Sequence, residues 1–148
     1  MVHDYLINAL EGIVAQEAWG ETAYFYNPGN VLKRGTYFAT VKQKDGDNDK
    51  ASALDRDGIW RLSLGVEKSK FTAMFGTQPP RPAKGCSIEG PWVHTQLNTI
   101  MPHPVYGWMS WIAVLNPDDQ TFEHSKLLIE SAHNRAKTTF DKRVRSKG

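Results

Sequence analysis

The chain has 148 residues, 40% of them hydrophobic and 23% charged, with a formal net charge of +2. That is the range of one soluble domain, able to bury roughly 68–70% of its unfolded surface without covalent staples. The lone cysteine, Cys86, excludes an intramolecular disulfide, and the acidic start and the lack of an apolar run of ~20 residues leave a cytoplasmic protein as the expectation.

Leu6, Ile7, Leu10, Ile13 and Val14 recur at helical spacing, and Asp4 is placed to cap them. The pattern predicts a first helix ending near Ala15. Residues 23–26 and 36–42 read as strands joined through Asn27-Pro28-Gly29-Asn30, with Tyr24, Phe25, Tyr26, Tyr37 and Phe38 suited to cross-strand pairing. The polar segment 44–57 follows. Its Asp45, Asp47 and Asp49 imitate the opening of a calcium loop, but Lys50 replaces the required glycine and Arg56 the bidentate glutamate. A turn with solvated carboxylates is expected there.

Over residues 59–66, Trp60, Leu62, Leu64 and Val66 alternate with Arg61, Ser63 and Gly65, the pattern of a strand with one polar face. Residues 67–75 read as a short helix with Phe71, Met74 and Phe75 turned inward. Pro79, Pro80, Pro82 and Pro91 then break residues 76–91 into a long irregular loop, a candidate lid. Residues 92–99 are expected to pair weakly.

The stretch MPHPVYGWMSWIAVLNP, residues 101–117, holds the longest apolar run. Aromatic and β-branched residues on both sides of residues 105–115 predict a strand covered on both faces, near the centre of a sheet. Pro102 and Pro104 stiffen the backbone around His103, which fixes its direction and suits either a site group or a structural hydrogen bond. Residues 118–140 then form a helix whose inner stripe is Phe122, Ser125, Leu128, Ile129, Ala132, Ala136 and Phe140, with His133 at its edge. Thr121 or an aspartate before it caps the start. From Lys126 onward seven basic residues stand against Glu130 and Asp141, a local charge of +5. A basic end of this kind fits either a solvated helix terminus or an acidic partner.

Strong catalytic signatures are absent: there is no phosphate loop, nucleophile elbow or paired-cysteine metal motif. His94, His103 and His133 would need to converge to hold a metal, and Cys86 would need a neighbouring histidine to act as a nucleophile. No metal and no cofactor is expected. The five tryptophans (Trp19, Trp60, Trp92, Trp108 and Trp111) suit a core, although Trp60 and Trp108 would hold a flat ligand if they lined a groove.

HPVYGWMSWIAVLNP with the amphipathic helix after it resembles an uncharacterised family of small bacterial proteins known only as a domain of unknown function. AWGETAYFYNPGN, RGTYFATV and DRDGIWRLSLGV extend that resemblance over most of the chain. The order of elements is also similar to that of YjbR/MmcQ-like proteins, which implies an α+β sheet packed by helices and suggests DNA binding.

The expectation is therefore one α+β domain over residues 1–141, a mainly antiparallel sheet packed by N- and C-terminal helices and YjbR/MmcQ-like, followed by a basic tail at 142–148. The leading function is a non-enzymatic binding protein with a small-molecule pocket near His103, contacted by Tyr106, Arg61 and Trp108. The alternatives are nucleic-acid binding through Lys142, Arg143, Arg145 and Lys147, or a small enzyme using His103 as acid or base. No membrane partner is expected.

Overall fold

The computed structural model describes residues 2–147. Six strands form one antiparallel sheet in the order β1-β2-β3-β4-β6-β5. They are β1 (Ile13–Ala18), β2 (Glu21–Tyr26), β3 (Thr36–Lys42), β4 (Arg61–Gly65), β5 (Met101–Pro102) and β6 (Trp111–Leu115). Helices α1 (Val2–Asn8), α2 (Lys68–Phe75) and α3 (Asp119–Lys147) complete an α+β domain. No helix among the described residues is long and apolar enough to cross a membrane.

The first helix is shorter than its periodicity suggests. It ends at Asn8, and Ile13 and Val14 belong to β1, paired with Tyr26 and Phe25. Two β-branched residues beside a strand edge gain more from sheet packing than from a lengthened helix. The β1–β2 hairpin closes through Trp19 and Gly20, both at positive φ (53° and 77°), the geometry that matches the twist of the flanking strands.

The strand expected over 105–115 is also shortened. Residues 107–109 form a 3-10 turn, Ser110 sits at φ 70°, and the strand begins only at Trp111. β6 lies between β4 and the two-residue edge strand β5, one place from the rim rather than at the centre. The Trp111 N–H returns to the Tyr106 carbonyl at 3.3 Å, so 106–111 closes as a loop.

The core lies between the sheet and α3. Tyr24, Phe38, Ala39, Leu62, Leu64, Ile112 and Val114 meet Phe122, Leu128, Ile129, Ala132, Ala136 and Phe140, as the stripe on that helix predicts. Asp118 caps α3, its carboxylate accepting the Thr121 N–H at 2.8 Å. From α2, Phe71 is buried, whereas Met74 is exposed. Glu67, just before α2, ties it to α3: its N–H bonds the Ser131 hydroxyl, which in turn donates to the Glu67 carboxylate. α3 continues without a break through the expected tail as far as Lys147.

Candidate functional site

With one face of the sheet taken by α3, the polar residues of β3 and β4 fall on the other face. Strand alternation alone would not assemble them. Tyr37, Thr40 and Lys42 all line a cavity there, although Tyr37 and Thr40 are an odd number of residues apart. The register explains it: Tyr24 pairs with Ala39 and Phe25 with Tyr37, leaving Phe38 as a bulge. Phe38 and Ala39 can then both enter the core while Tyr37 and Thr40 share the opposite face.

The floor of this cavity is a buried ion pair. Arg61 is 1% exposed and grips both carboxylate oxygens of Asp49, while its Nε donates to Ser63 and its Nη1 to Ser52. Lys42 reaches the same carboxylate at 3.4 Å. Burial alone would raise the Asp49 pKa. The Arg61 guanidinium, with Lys42 behind it, outweighs burial and holds it well below the usual carboxylate range. Asp49 reaches inward because the aspartate-rich loop is tied down. Asp45 accepts the Leu54 N–H at 2.7 Å, Asp55 accepts the Asp45 N–H, and Gly46 bridges Asp49.

His103 stands beside this pair at 2% exposure. Its Nδ1 accepts the N–H groups of Val105 (3.0 Å) and Tyr106 (3.1 Å). A nitrogen that accepts cannot carry the proton, so the neutral ring holds it on Nε2. Burial first, and then the Arg61 charge, push the pKa well below the ordinary histidine value. His103 is therefore a neutral donor at pH 7.

Tyr37, Tyr106, Met109 and Trp111 supply the apolar walls, and Glu21 and residues 46–49 complete a cavity of about 530 Å³, within the span of small-molecule sites. The Tyr37 phenol is pushed up to about 12 by desolvation and then by Glu21. Gly65 lets Trp111 lie flat on the sheet, since a Cβ there would stand 2.7 Å from the indole.

A family of unknown function, DUF6194, matches residues 1–145. The chain belongs to that family. No curated protein and no solved structure matches it.

In this DUF6194 chain, three of the four sequence-predicted contacts, His103, Tyr106 and Arg61, line the same cavity. Arg61 does so as a committed partner of Asp49 rather than as a free cation. Trp108 lies apart, under the proline-rich loop with Arg81 4.8 Å from its ring centroid. Trp60 packs against the core, so Trp60 and Trp108 form no common groove. The proline-rich loop contributes nothing to the cavity lining. It packs instead along 104–110, with Gln78 on Ser110 and the Ile88 N–H on the Pro104 carbonyl. The loop holding Asp49 lines the cavity instead, and this carboxylate, bonded to Arg61 and Lys42, is far from the solvated group expected.

The three histidines do not converge. His133 faces Tyr26 and Phe38 beneath α3 and bonds the Glu11 carbonyl at 3.1 Å. Among the described residues no group of three potential ligands is placed to hold a metal. Cys86 is exposed and outside the cavity. At the basic end, the Arg143 guanidinium is committed to the Gly35 carbonyl and Thr36, leaving Lys142 and Arg145 exposed; the Lys147 side chain and Gly148 lie outside the described residues.

Proposed function

We propose that this protein binds a small molecule in the cavity between β3, β4 and the loop holding Asp49. The observation that supports it is the buried Arg61–Asp49 pair at the cavity floor. Replacing such a pair with apolar residues is often neutral or stabilising, so the pair gives the fold little stability of its own. Its evident consequence is a polar, pre-organised wall facing a ligand-sized space. The hydrogen bonding of His103 argues against its use as a general base at this site. Its Nδ1 is occupied by two backbone donors, and its Nε2 already carries the proton.

The test is an NMR titration of ¹⁵N-labelled protein against a library of small polar and aromatic fragments. Binding should move the amides of Thr40, Lys42, Tyr106 and Trp111 together, with the Trp111 indole among the largest changes. A library in which every hit maps elsewhere, or none maps here, would overturn the reading.

A further inference from the structure

The charges around the cavity are unevenly committed. Both cations, Arg61 and Lys42, are bonded to one carboxylate, Asp49. Glu21 and Asp47 also line the cavity, and neither has an ion-pair partner among the described residues. Lys42 is the direct cross-strand neighbour of Glu21, yet it turns away to Asp49. The Glu21 carboxylate is left with the Thr40 hydroxyl, which donates to it at 2.8 Å. With His103 neutral, the lining carries three carboxylates against two cations, a net charge of −1.

Aromatic rings stand around these carboxylates. The Tyr37 and Trp111 centroids are 5.1 Å apart with their planes tilted by 36°, and the Tyr106 ring lies 5.1 Å from that of His103. The face of an aromatic ring attracts cations through its quadrupole, and more strongly where water is excluded. A carboxylate without an ion-pair partner, beside three ring systems in one partly enclosed space, selects positive charge carried on an apolar body.

We infer that the cavity takes an organic ammonium, its cationic head among Tyr37, Tyr106 and Trp111 with Glu21 as counter-ion. This rests on the reading of the cavity as a binding site. Inorganic cations fit the arrangement poorly, because among the described residues no three carboxylate or histidine groups are placed to hold a metal ion together. Anions meet the net negative lining and find both basic side chains already engaged.

Three probes of nearly one shape separate the charge states: choline, the neutral 3,3-dimethylbutan-1-ol and the anionic 3,3-dimethylbutanoate. Calorimetric titration of the protein should give choline an affinity about threefold or more above the alcohol, on the scale of a cation–ring contact at partly exposed rings such as Tyr37 and Tyr106. Glu21→Gln keeps an acceptor for Thr40 and should bring choline down to the level of the alcohol. Tyr37→Leu keeps apolar bulk and should weaken choline more than the alcohol. If the alcohol or the anion binds as well as choline while the cavity amides shift, the ammonium is overturned and the binding cavity stands. Choline binding unmoved by either variant also overturns it. If no probe binds at tens of millimolar, the ammonium falls, and the fragment titration decides the cavity separately.

Discussion

Asp49 is the residue on which the cavity most depends, because it answers two cations from a loop that has no regular structure. Removing its charge strands the guanidinium of Arg61 in a site with 1% exposure. Asp49→Asn is expected to cost about 3–5 kcal/mol in urea unfolding at pH 7, the range for breaking a buried pair from one side. Replacing both partners, Asp49→Leu with Arg61→Met, should cost less than the single change, since no charge is left unpaired. A double variant as unstable as the sum of its singles would contradict the pairing. The pH dependence follows from the direction of the Asp49 shift. Its folded pKa is depressed, so the stability it contributes is whole above the unfolded carboxylate value near about 4. That contribution drains away as the pH falls from there towards the folded value. The gap between wild type and Asp49→Asn should therefore close progressively in acid.

At the scale of elements, the cavity depends on β4 and β6 fitting closely at one point. Gly65→Ala places a Cβ against the ring system of Trp111, with 2.7 Å to the nearest carbon. Neither strand can yield without breaking its ladder, so the indole must swing into the cavity. A loss of about 1–3 kcal/mol is expected, along with weakened ligand binding and a changed Trp111 indole resonance. A neutral substitution would mean that the ring has room the structure does not give it. The basic end of α3 divides in the same local way. Arg143→Ala should cost about 1 kcal/mol through its contacts with Gly35 and Thr36, whereas Lys142→Ala with Arg145→Ala should leave the melting temperature unchanged. Any affinity for duplex DNA carried by this end should fall in the second variant and weaken steeply with salt. These elements also mark what sequence alone could reveal. The inward stripe of α3 and the alternation of β4 were legible because each is periodic within one segment. Trp19-Gly20 lacks the usual Asn-Gly signal of a tight hairpin, so in the sequence the first residues of β1 read as the end of a helix. The bulge at Phe38 was hidden for a different reason: an odd spacing becomes a shared face only once the register with β2 is known. Arg61, His103 and Tyr106 stand out one by one from their own sequence surroundings. Their partner Asp49 comes from a loop whose composition resembles an exposed turn, and nothing within that loop announces the arginine it will meet.

Across the whole molecule, acid sensitivity should begin well above the carboxylate range, because three histidines on opposite faces of the sheet share one direction of shift. His103 is lowered by burial and then by Arg61, and His94 for the same two reasons. His133 is lowered by burial, which its bond to the Glu11 carbonyl only partly offsets. Another observation points the same way for His94: its Nδ1 is buried without a hydrogen-bond partner. As the pH falls through about 6.5 the unfolded chain protonates these imidazoles while the folded chain resists. The unfolded state then holds more protons, so stability must fall as the pH drops, and the effect vanishes above about pH 7. Each histidine contributes at most about 1.4 kcal/mol per pH unit. Unfolding free energies at pH 7.0 and 5.5 should accordingly differ by about 1–4 kcal/mol, the upper end requiring all three to stay neutral when folded. The two faces can be separated. His133→Leu suits the apolar surroundings of Tyr26 and Phe38 and should remove one proton from the difference without disturbing the cavity. The imidazole resonances of His103 should hold still from pH 8 to about 5.5 while an unfolded reference moves. A stability that is flat across this interval, or a His103 resonance that titrates like the unfolded reference, would show that the ring is not held neutral. The hydrogen-bonding role assigned to it at the cavity would then fail as well.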